Sequence, residues 1–232
     1  MTFIAKHSKI IATFISIVII MSTTIIVKGQ NTTTTLKDGS TLTITTNTPT
    51  QRIVNTTSPN GNTSTITYLK QKNQLTINSN AKERTININM PPILPDNEPP
   101  IRGAIIAKKS ESWTGFAYRV RQLTPKNRWW LKTNQGQKVR YATSKNIFNL
   151  RGFMASVDKM AQAELQCYSM CSGTLLSSIA SVLTAMLASG ILSPIAIVAG
   201  AILAVGGSLS IAYVGADYLE GGKKAKYYYA LV

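Results

Sequence analysis

The chain has 232 residues, enough for about one or two domains, and a formal net charge of +16 from 25 Lys and Arg against nine Asp and Glu. This excess favours an anionic partner such as a lipid membrane, a cell-wall polymer or nucleic acid. One His (His7) and two Cys are too few for a His/Cys metal site or for Ser-His or Cys-His catalysis, and no Gly-rich phosphate loop occurs. We therefore expect a protein that is not an enzyme and uses no cofactor.

Residues 1–29 have the pattern of a secretory signal peptide. A positively charged start precedes the apolar run Ile10–Ile20, and Val27-Lys28-Gly29 offers a cleavage site that would leave Gln30 as the new N-terminus. The alternative is an uncleaved anchor of about 18 residues, which is barely long enough to span a bilayer. In both cases we expect the remainder to leave the cytoplasm, either secreted and membrane-associating or anchored in the cell envelope.

Residues 30–90 are rich in Thr and Asn and alternate polar with apolar side chains. This alternation, which predicts half-buried strands, occurs at residues 41–45, 65–68, 75–78 and 85–89. Asp38-Gly39 and Asn60-Gly61 are typical of hairpin turns. We predict an antiparallel meander of about five or six thinly packed strands. Three hypotheses fit its role: a wall-contacting or adhesive module, a pro-segment that shields a toxic part, or a solubilising scaffold.

A Pro-rich stretch, residues 91–101, follows and predicts an extended linker between domains. Beyond it, residues 102–143 form a basic region that contains all three Trp of the chain. Strands are predicted at residues 115–122, 128–133 and 138–143, so we expect a basic β module.

Basic side chains beside Trp suit a membrane interface. Trp favours the headgroup level, and each Lys or Arg near an anionic surface contributes about 1 kcal/mol. The residues predicted to dock on an anionic membrane or cell-wall polymer are Trp113, Trp129, Trp130, Arg119, Arg121, Arg128, Lys132, Lys138 and Arg140. One alternative is a small solvated β-domain with Trp in its core. Another is nucleic-acid binding, which the secretion signal disfavours.

Residues 144–232 predict a helical region. Apolar residues from Ile147 to Tyr168 recur at helical spacing, which predicts an amphipathic helix over residues 144–173. Near its end, Cys167 and Cys171 leave two hypotheses open: a short disulfide formed outside the cell, or two packed thiols.

Residues 165–216 contain no charged side chain and predict two apolar helices, residues 174–189 and 194–216, joined by a tight turn. Small residues recur every fourth position, which lets helices approach closely in lipid. These stripes are Gly173, Ser177, Ser181, Ala185 and Ser189, and Ala196, Gly200, Ala204, Ser208, Ala212 and Ala216.

With small faces inward, the two helices would form an antiparallel hairpin, residues 174–216. At ~1.5 Å per residue the second helix would be about 35 Å long, enough to cross a bilayer core of roughly 30 Å. We therefore predict a transmembrane hairpin that inserts into the membrane and offers a surface for self-association. The alternative is a hairpin buried at the centre of a helical domain.

The tail, residues 217–232, is charged and aromatic. Gly221-Gly222 predict a helix end, and three Lys followed by Tyr227-Tyr228-Tyr229 are typical of an interfacial anchor, although a solvated charge cluster fits equally well.

The uncharged Ala/Gly/Ile-rich hairpin resembles that of channel-forming colicins. The ensemble of signal, basic Trp-bearing region and hairpin is similar to large unmodified bacteriocins of Gram-positive bacteria, of the geobacillin type. This resemblance implies killing of related bacteria, with a separate immunity protein for self-protection. We thus predict an α+β chain that acts as a secreted, cationic, membrane-active antibacterial protein. The alternative is an envelope-anchored structural or adhesion protein with a membrane-embedded hairpin.

Overall fold

The computed structural model describes residues 31–88, 105–111, 118–133, 135–171, 173–188 and 194–232. Within these ranges the chain has the predicted α+β fold, with two antiparallel sheets and four helices. The predicted signal or anchor (residues 1–29) and the Pro-rich linker (residues 91–101) lie outside the described residues, as do Trp113 and Ser189.

The first sheet is a six-stranded antiparallel meander in sequence order, which confirms the predicted meander. Its strands are β1 (Thr32–Thr35), β2 (Thr41–Asn47), β3 (Gln51–Thr57), β4 (Thr63–Leu69), β5 (Gln74–Ser79) and β6 (Lys82–Asn87). Gly39 and Gly61 have φ of 83° and 81°, the left-handed conformation that their hairpin turns need. Alternation places Leu42, Val54 and Ile66 on one buried face and mostly Thr and Asn on the other.

The second sheet has four antiparallel strands in the order β10-β9-β8-β7. They are β7 (Ile105–Glu111), β8 (Arg119–Leu123), β9 (Arg128–Thr133) and β10 (Gly136–Tyr141). Two of the predicted strands shift by a few residues, and β7 was not predicted. Trp129 and Trp130 are buried on β9, as expected for the alternative in which Trp fills the core of the β module.

Four helices follow: α1 (Ile147–Met170), α2 (Gly173–Ala188), α3 (Ile195–Ala204) and α4 (Leu209–Leu231). Helix α4 runs through Gly221 and Gly222, so the helix end predicted there is wrong. A Cβ at Gly221 would lie 2.9 Å from Met160 Cγ of α1, and one at Gly222 would lie 2.6 Å from Leu187 Cδ1 of α2. These glycines therefore allow close helix packing rather than ending the helix.

The prediction of one transmembrane helix over residues 194–216 is wrong, because this stretch is divided into two helices, α3 and α4, by a turn at residues 205–208. Gly206 has φ of 102°, and the Ser208 hydroxyl accepts a hydrogen bond from Ile211 N, 3.4 Å away, as the N-cap of α4. Helix α3 has only 10 residues, about 15 Å, and α4 carries five charged residues. Among the described residues, none of the helices has the length and apolar character needed to cross a bilayer.

The predicted packing of the small-residue stripes against each other is also not what the structure shows. Helix α3 is buried under the first sheet: a Cβ at Gly200 would lie 2.5 Å from Ile66 Cδ1 and 2.8 Å from Thr56 Cγ2. Leu183 of α2, which does not belong to the small-residue stripe, is buried in the core that the sheets and helices share. The apolar run is therefore central to this fold, because its small residues let a sheet approach a helix closely.

Candidate functional site

The last turn of α4 is held by side chains of β10 and α1. Lys138 Nζ donates to Tyr229 O, Arg140 Nε donates to Val232 O (3.0 Å), and Asn149 Nδ2 donates to Leu231 O (3.3 Å). The carbonyls at the end of a helix lack intrahelical partners and carry partial negative charge, so cations and amide donors stabilise them. This contact fixes the C-terminal end of α4 beside the start of α1.

Three consecutive tyrosines of α4 take different positions at this end. Tyr229 packs against Phe153 of α1 (ring centroids 5.9 Å apart), and Lys138 Nζ lies 4.2 Å from the centre of its ring. Tyr228 lies across Gly152, where a Cβ would come within 2.6 Å of the ring. The Tyr227 and Tyr228 rings pack edge to face with their centroids 5.3 Å apart, and the rest of the Tyr227 side chain faces solvent.

Large apolar side chains remain exposed here. Phe148 is 74% exposed, Tyr227 62%, Tyr141 51% and Leu231 48%. The Phe148 and Tyr228 rings pack edge to face, with their centroids 6.4 Å apart. We call this group, Tyr141, Phe148, Tyr227, Tyr228 and Leu231, the aromatic end.

The charged residues closest in the chain to the aromatic end are cations. Exposed Arg140 and Lys145 flank Tyr141 and Phe148, Arg151 lies one helical turn beyond Phe148, and Lys223 lies one turn before Tyr227. No acidic residue occurs between residues 141 and 157 or between 221 and 232. This surface therefore combines exposed aromatic groups with side-chain charges of a single sign.

The two acidic residues of α4, Asp217 and Glu220, lie about two turns or more before Tyr227 in that helix. Lys159 of α1 pairs with Asp217 (2.9 Å) and Glu220 (2.7 Å) of α4, and Lys224 pairs with Glu220 (2.7 Å). Hydrogen bonds from Lys159 and then Lys224 lower the pKa of Glu220 to about 2. The pairs of Lys159 with Asp217 and Glu220 join α1 to α4.

Three of the predicted docking residues are buried. Trp129 and Trp130 are buried, and Arg121 is buried with its guanidinium carbon 4.9 Å from the centre of the Trp130 ring. Arg119, Arg128 and Lys132 are half-buried. The two tryptophans are buried on opposite faces of the second sheet, Trp129 in the main hydrophobic core and Trp130 against Arg121, so neither makes the surface contact expected of it.

The small-residue stripes do not form one continuous surface. The first runs from exposed Gly173 through half-buried Ser177 to buried Ser181 and half-buried Ala185. The second is divided by the break before α4. The members of the second stripe have these environments: Ala196, Gly200 and Ala204 are buried in α3, Ser208 caps α4, Ala212 is buried and Ala216 is half-buried.

The disulfide hypothesis for Cys167 and Cys171 is not what the structure shows, because both are free, buried thiols. Cys171 Sγ donates to Cys167 O at 3.0 Å, a contact that follows the helical i,i+4 spacing. Burial raises the pKa of Cys167 to about 12. The alternative of two packed thiols describes this arrangement.

Sequence analysis found part of the aromatic end and missed the rest. The run Tyr227-Tyr228-Tyr229 beside lysines was predicted as an interfacial anchor, but Tyr141 and Phe148 were not identified. Phe148 is one apolar residue in the polar face of an amphipathic helix, and this interruption is a signal that could have identified it.

No family model, curated protein or solved structure matches this chain.

Proposed function

We propose that this protein binds anionic bacterial membranes through its aromatic end and acts as a secreted, cationic antibacterial protein of the bacteriocin type. One observation supports this most: the exposed Phe148 and Tyr227 share a surface with cations and with no nearby acidic residue in the sequence. Aromatic rings favour the headgroup level of a bilayer, and cations beside them favour anionic lipids.

The free energies expected from ring burial and from the flanking cations are sufficient for reversible binding to a membrane. Full burial of a Phe side chain is worth about 1.5–3 kcal/mol, and Phe148 has 74% of its surface available. Each of the four flanking cations adds about 1 kcal/mol near an anionic surface. Charge and apolar contact would contribute comparable amounts, so neither alone would give tight binding.

Binding is proposed at the membrane surface only, since no described helix is long and apolar enough to cross a bilayer. Rings that enter the headgroup region from a folded domain need no refolding of the helices. In this orientation the aromatic end would face the lipid, and the ion pairs of Lys159 with Asp217 and Glu220 would lie about two turns away.

Vesicle sedimentation tests the proposal. The full protein should bind vesicles with about one third anionic lipid and should not bind purely zwitterionic vesicles. Raising the salt from about 0.02 M to about 0.5 M should weaken binding at least tenfold, because the Debye length falls to a few ångströms. Binding that ignores lipid charge or salt would refute the proposal, as would a preference for duplex DNA of equal charge over vesicles.

Antibacterial action is a further step that needs its own assay. Purified protein should inhibit growth of Gram-positive bacteria related to the producer and spare the producer itself, which would carry an immunity protein. Protein that stays in the producer's envelope fraction and harms no other cell would instead support the envelope structural or adhesion alternative.

A further inference from the structure

The first sheet has an outer face that covers no part of the core. Alternation along the strands turns Leu42, Val54 and Ile66 inward, while their neighbours on the same strands are exposed or half-buried. The cross-strand register aligns these outer residues in rows. The rows are Thr33, Thr43, Asn55, Thr65, Asn78 and Glu83; Thr35, Thr41, Thr57 and Thr63; Ile53, Thr67, Thr76 and Thr85; and Gln51, Leu69, Gln74 and Asn87.

We call these rows the threonine face, and it is nearly uncharged. Glu83 is its only charged residue, at the edge strand β6, in a chain with 25 Lys and Arg. Arg52 of β3 lies on the opposite face, where it donates to Leu203 O at 3.0 Å. An uncharged surface in a strongly basic protein indicates a partner without charge, in contrast to the aromatic end.

The polar side chains of the threonine face are already held by hydrogen bonds to one another in the unbound protein. Thr33 and Thr43 hydroxyls lie 2.9 Å apart, the Thr65 hydroxyl donates to Asn55 Oδ1 at 3.1 Å, and the Thr76 and Thr85 hydroxyls lie 3.4 Å apart. Thr is also stiff at χ1 because it is β-branched. The entropy lost on ordering side chains upon binding is therefore small.

The shape of the sheet distinguishes a chain-like partner from a flat one. On average, neighbouring strands of a sheet are rotated by roughly 20–25°, a twist that would turn the outer strands of a six-stranded sheet by about 100–125° relative to each other. A rigid crystalline surface could touch only a few strands, whereas a single flexible polymer can follow the twist. Within each row, neighbouring residues lie ~4.8 Å apart across the strands, a distance comparable to the advance per unit of a β-linked sugar chain.

We propose that the threonine face binds a single uncharged polysaccharide chain, with sugar hydroxyls meeting Thr and Asn groups and sugar C–H faces meeting Thr methyls. This site is distinct from the aromatic end and does not depend on the function proposed for it. The face carries no aromatic ring, so each sugar is held weakly and the binding strength comes from many sugars along several rows. Long chains therefore bind well, and short oligosaccharides bind poorly.

Retention on beads that carry long, end-attached chains of soluble hydroxyethyl cellulose, an uncharged β-linked polymer, tests the site. The parent should stay bound in about 1 M salt, where charge interactions are screened. The variant Thr43→Val with Thr65→Val keeps the side-chain shape but removes two hydroxyls, and its retention should fall about tenfold. Thr143→Val with Thr174→Val removes two exposed hydroxyls elsewhere and should retain the parent's binding.

Both variant pairs should bind anionic vesicles as the parent does, so loss of binding to the polysaccharide and loss of binding to lipid are separate results. Far-UV circular dichroism and urea unfolding confirm that the Val pairs fold. Equal retention of the parent and the Thr43→Val/Thr65→Val variant would overturn the proposal. Release of the parent by salt would also overturn it, as would equal competition by a tetrasaccharide and by a long soluble chain.

Discussion

Close contact between Gly200 of α3 and the first sheet can be tested by a double-mutant cycle. Gly200→Ala adds a Cβ that would lie 2.5 Å from Ile66 Cδ1 and 2.8 Å from Thr56 Cγ2. Such overpacking costs about 1–3 kcal/mol, while the better helix propensity of Ala returns up to about 1 kcal/mol. We expect a net loss of about 1 kcal/mol in the free energy of unfolding.

Ile66→Val removes the Cδ1 atom that the new Cβ would strike. Alone it should cost about 1 kcal/mol as a buried large-to-small change. The double variant Gly200→Ala/Ile66→Val should lose much less stability than the two single variants lose in sum. Urea unfolding should therefore give a coupling free energy of about 1 kcal/mol between the two changes. Ile86→Val, a buried change on β6, two strands away from β4 and Ile66, is the control and should add to Gly200→Ala within about 0.5 kcal/mol. If Ile66→Val is also additive, Gly200 does not face the sheet.

Three further predictions concern the helices. The folded protein lowers the pKa of Glu220 from 4.5 to about 2, so the ionised side chain stabilises the fold above pH about 4.5 and this stabilisation is lost as the pH falls toward 2. Because the side chain is 47% exposed, we expect a contribution of only about 1 kcal/mol to the free energy of unfolding. Glu220→Gln should remove this pH dependence of the free energy of unfolding between pH about 4.5 and 2. Burial and a pKa of about 12 should leave Cys167 unlabelled by a thiol reagent in the folded protein near pH 8 but labelled in urea. Lys138→Met should lower the free energy of unfolding by about 1 kcal/mol, because Tyr229 O loses its charged donor.

The β-rich part was predictable because its signals are local. Period-two alternation and the turns at Asp38-Gly39 and Asn60-Gly61 are set by neighbouring residues, and the six-stranded meander follows from them. The partner of its apolar face was not predictable, because Val54 and Ile66 carry no information about which distant helix will cover them. That helix, α3, lies more than 100 residues away in the chain.

The prediction of one long apolar helix over residues 194–216 failed for a local reason as well as a tertiary one. Gly206-Gly207-Ser208 is a stop signal followed by an N-cap, and the surrounding hydrophobicity concealed it. The opposite error occurred at Gly221-Gly222, where a stop was predicted in an unbroken helix. There tertiary packing against α1 and α2 favours glycine, and only the fold reveals that contact.

The candidate site depends on three segments that are distant in sequence. Tyr141 ends β10, Phe148 begins α1, and Tyr227 and Leu231 end α4, so no single window contains the aromatic end. The basic Trp-bearing region had the right composition for an interface, yet cross-strand packing placed Trp129 and Trp130 inside. The composition of the chain therefore indicated an anionic partner but did not identify the residues that would contact it.

One measurement tests the central claim most directly: the affinity for anionic vesicles of two matched variants. Phe148→Ser with Tyr227→Ser removes the exposed rings of the aromatic end, worth together roughly 2 kcal/mol, so binding should weaken about thirtyfold. Leu165→Ser with Tyr168→Ser removes side chains of similar exposure, 65% and 62%, at the far end of α1, and should change binding less than about threefold. Equal loss in the two variants, or no loss in the first, would contradict membrane docking through the aromatic end.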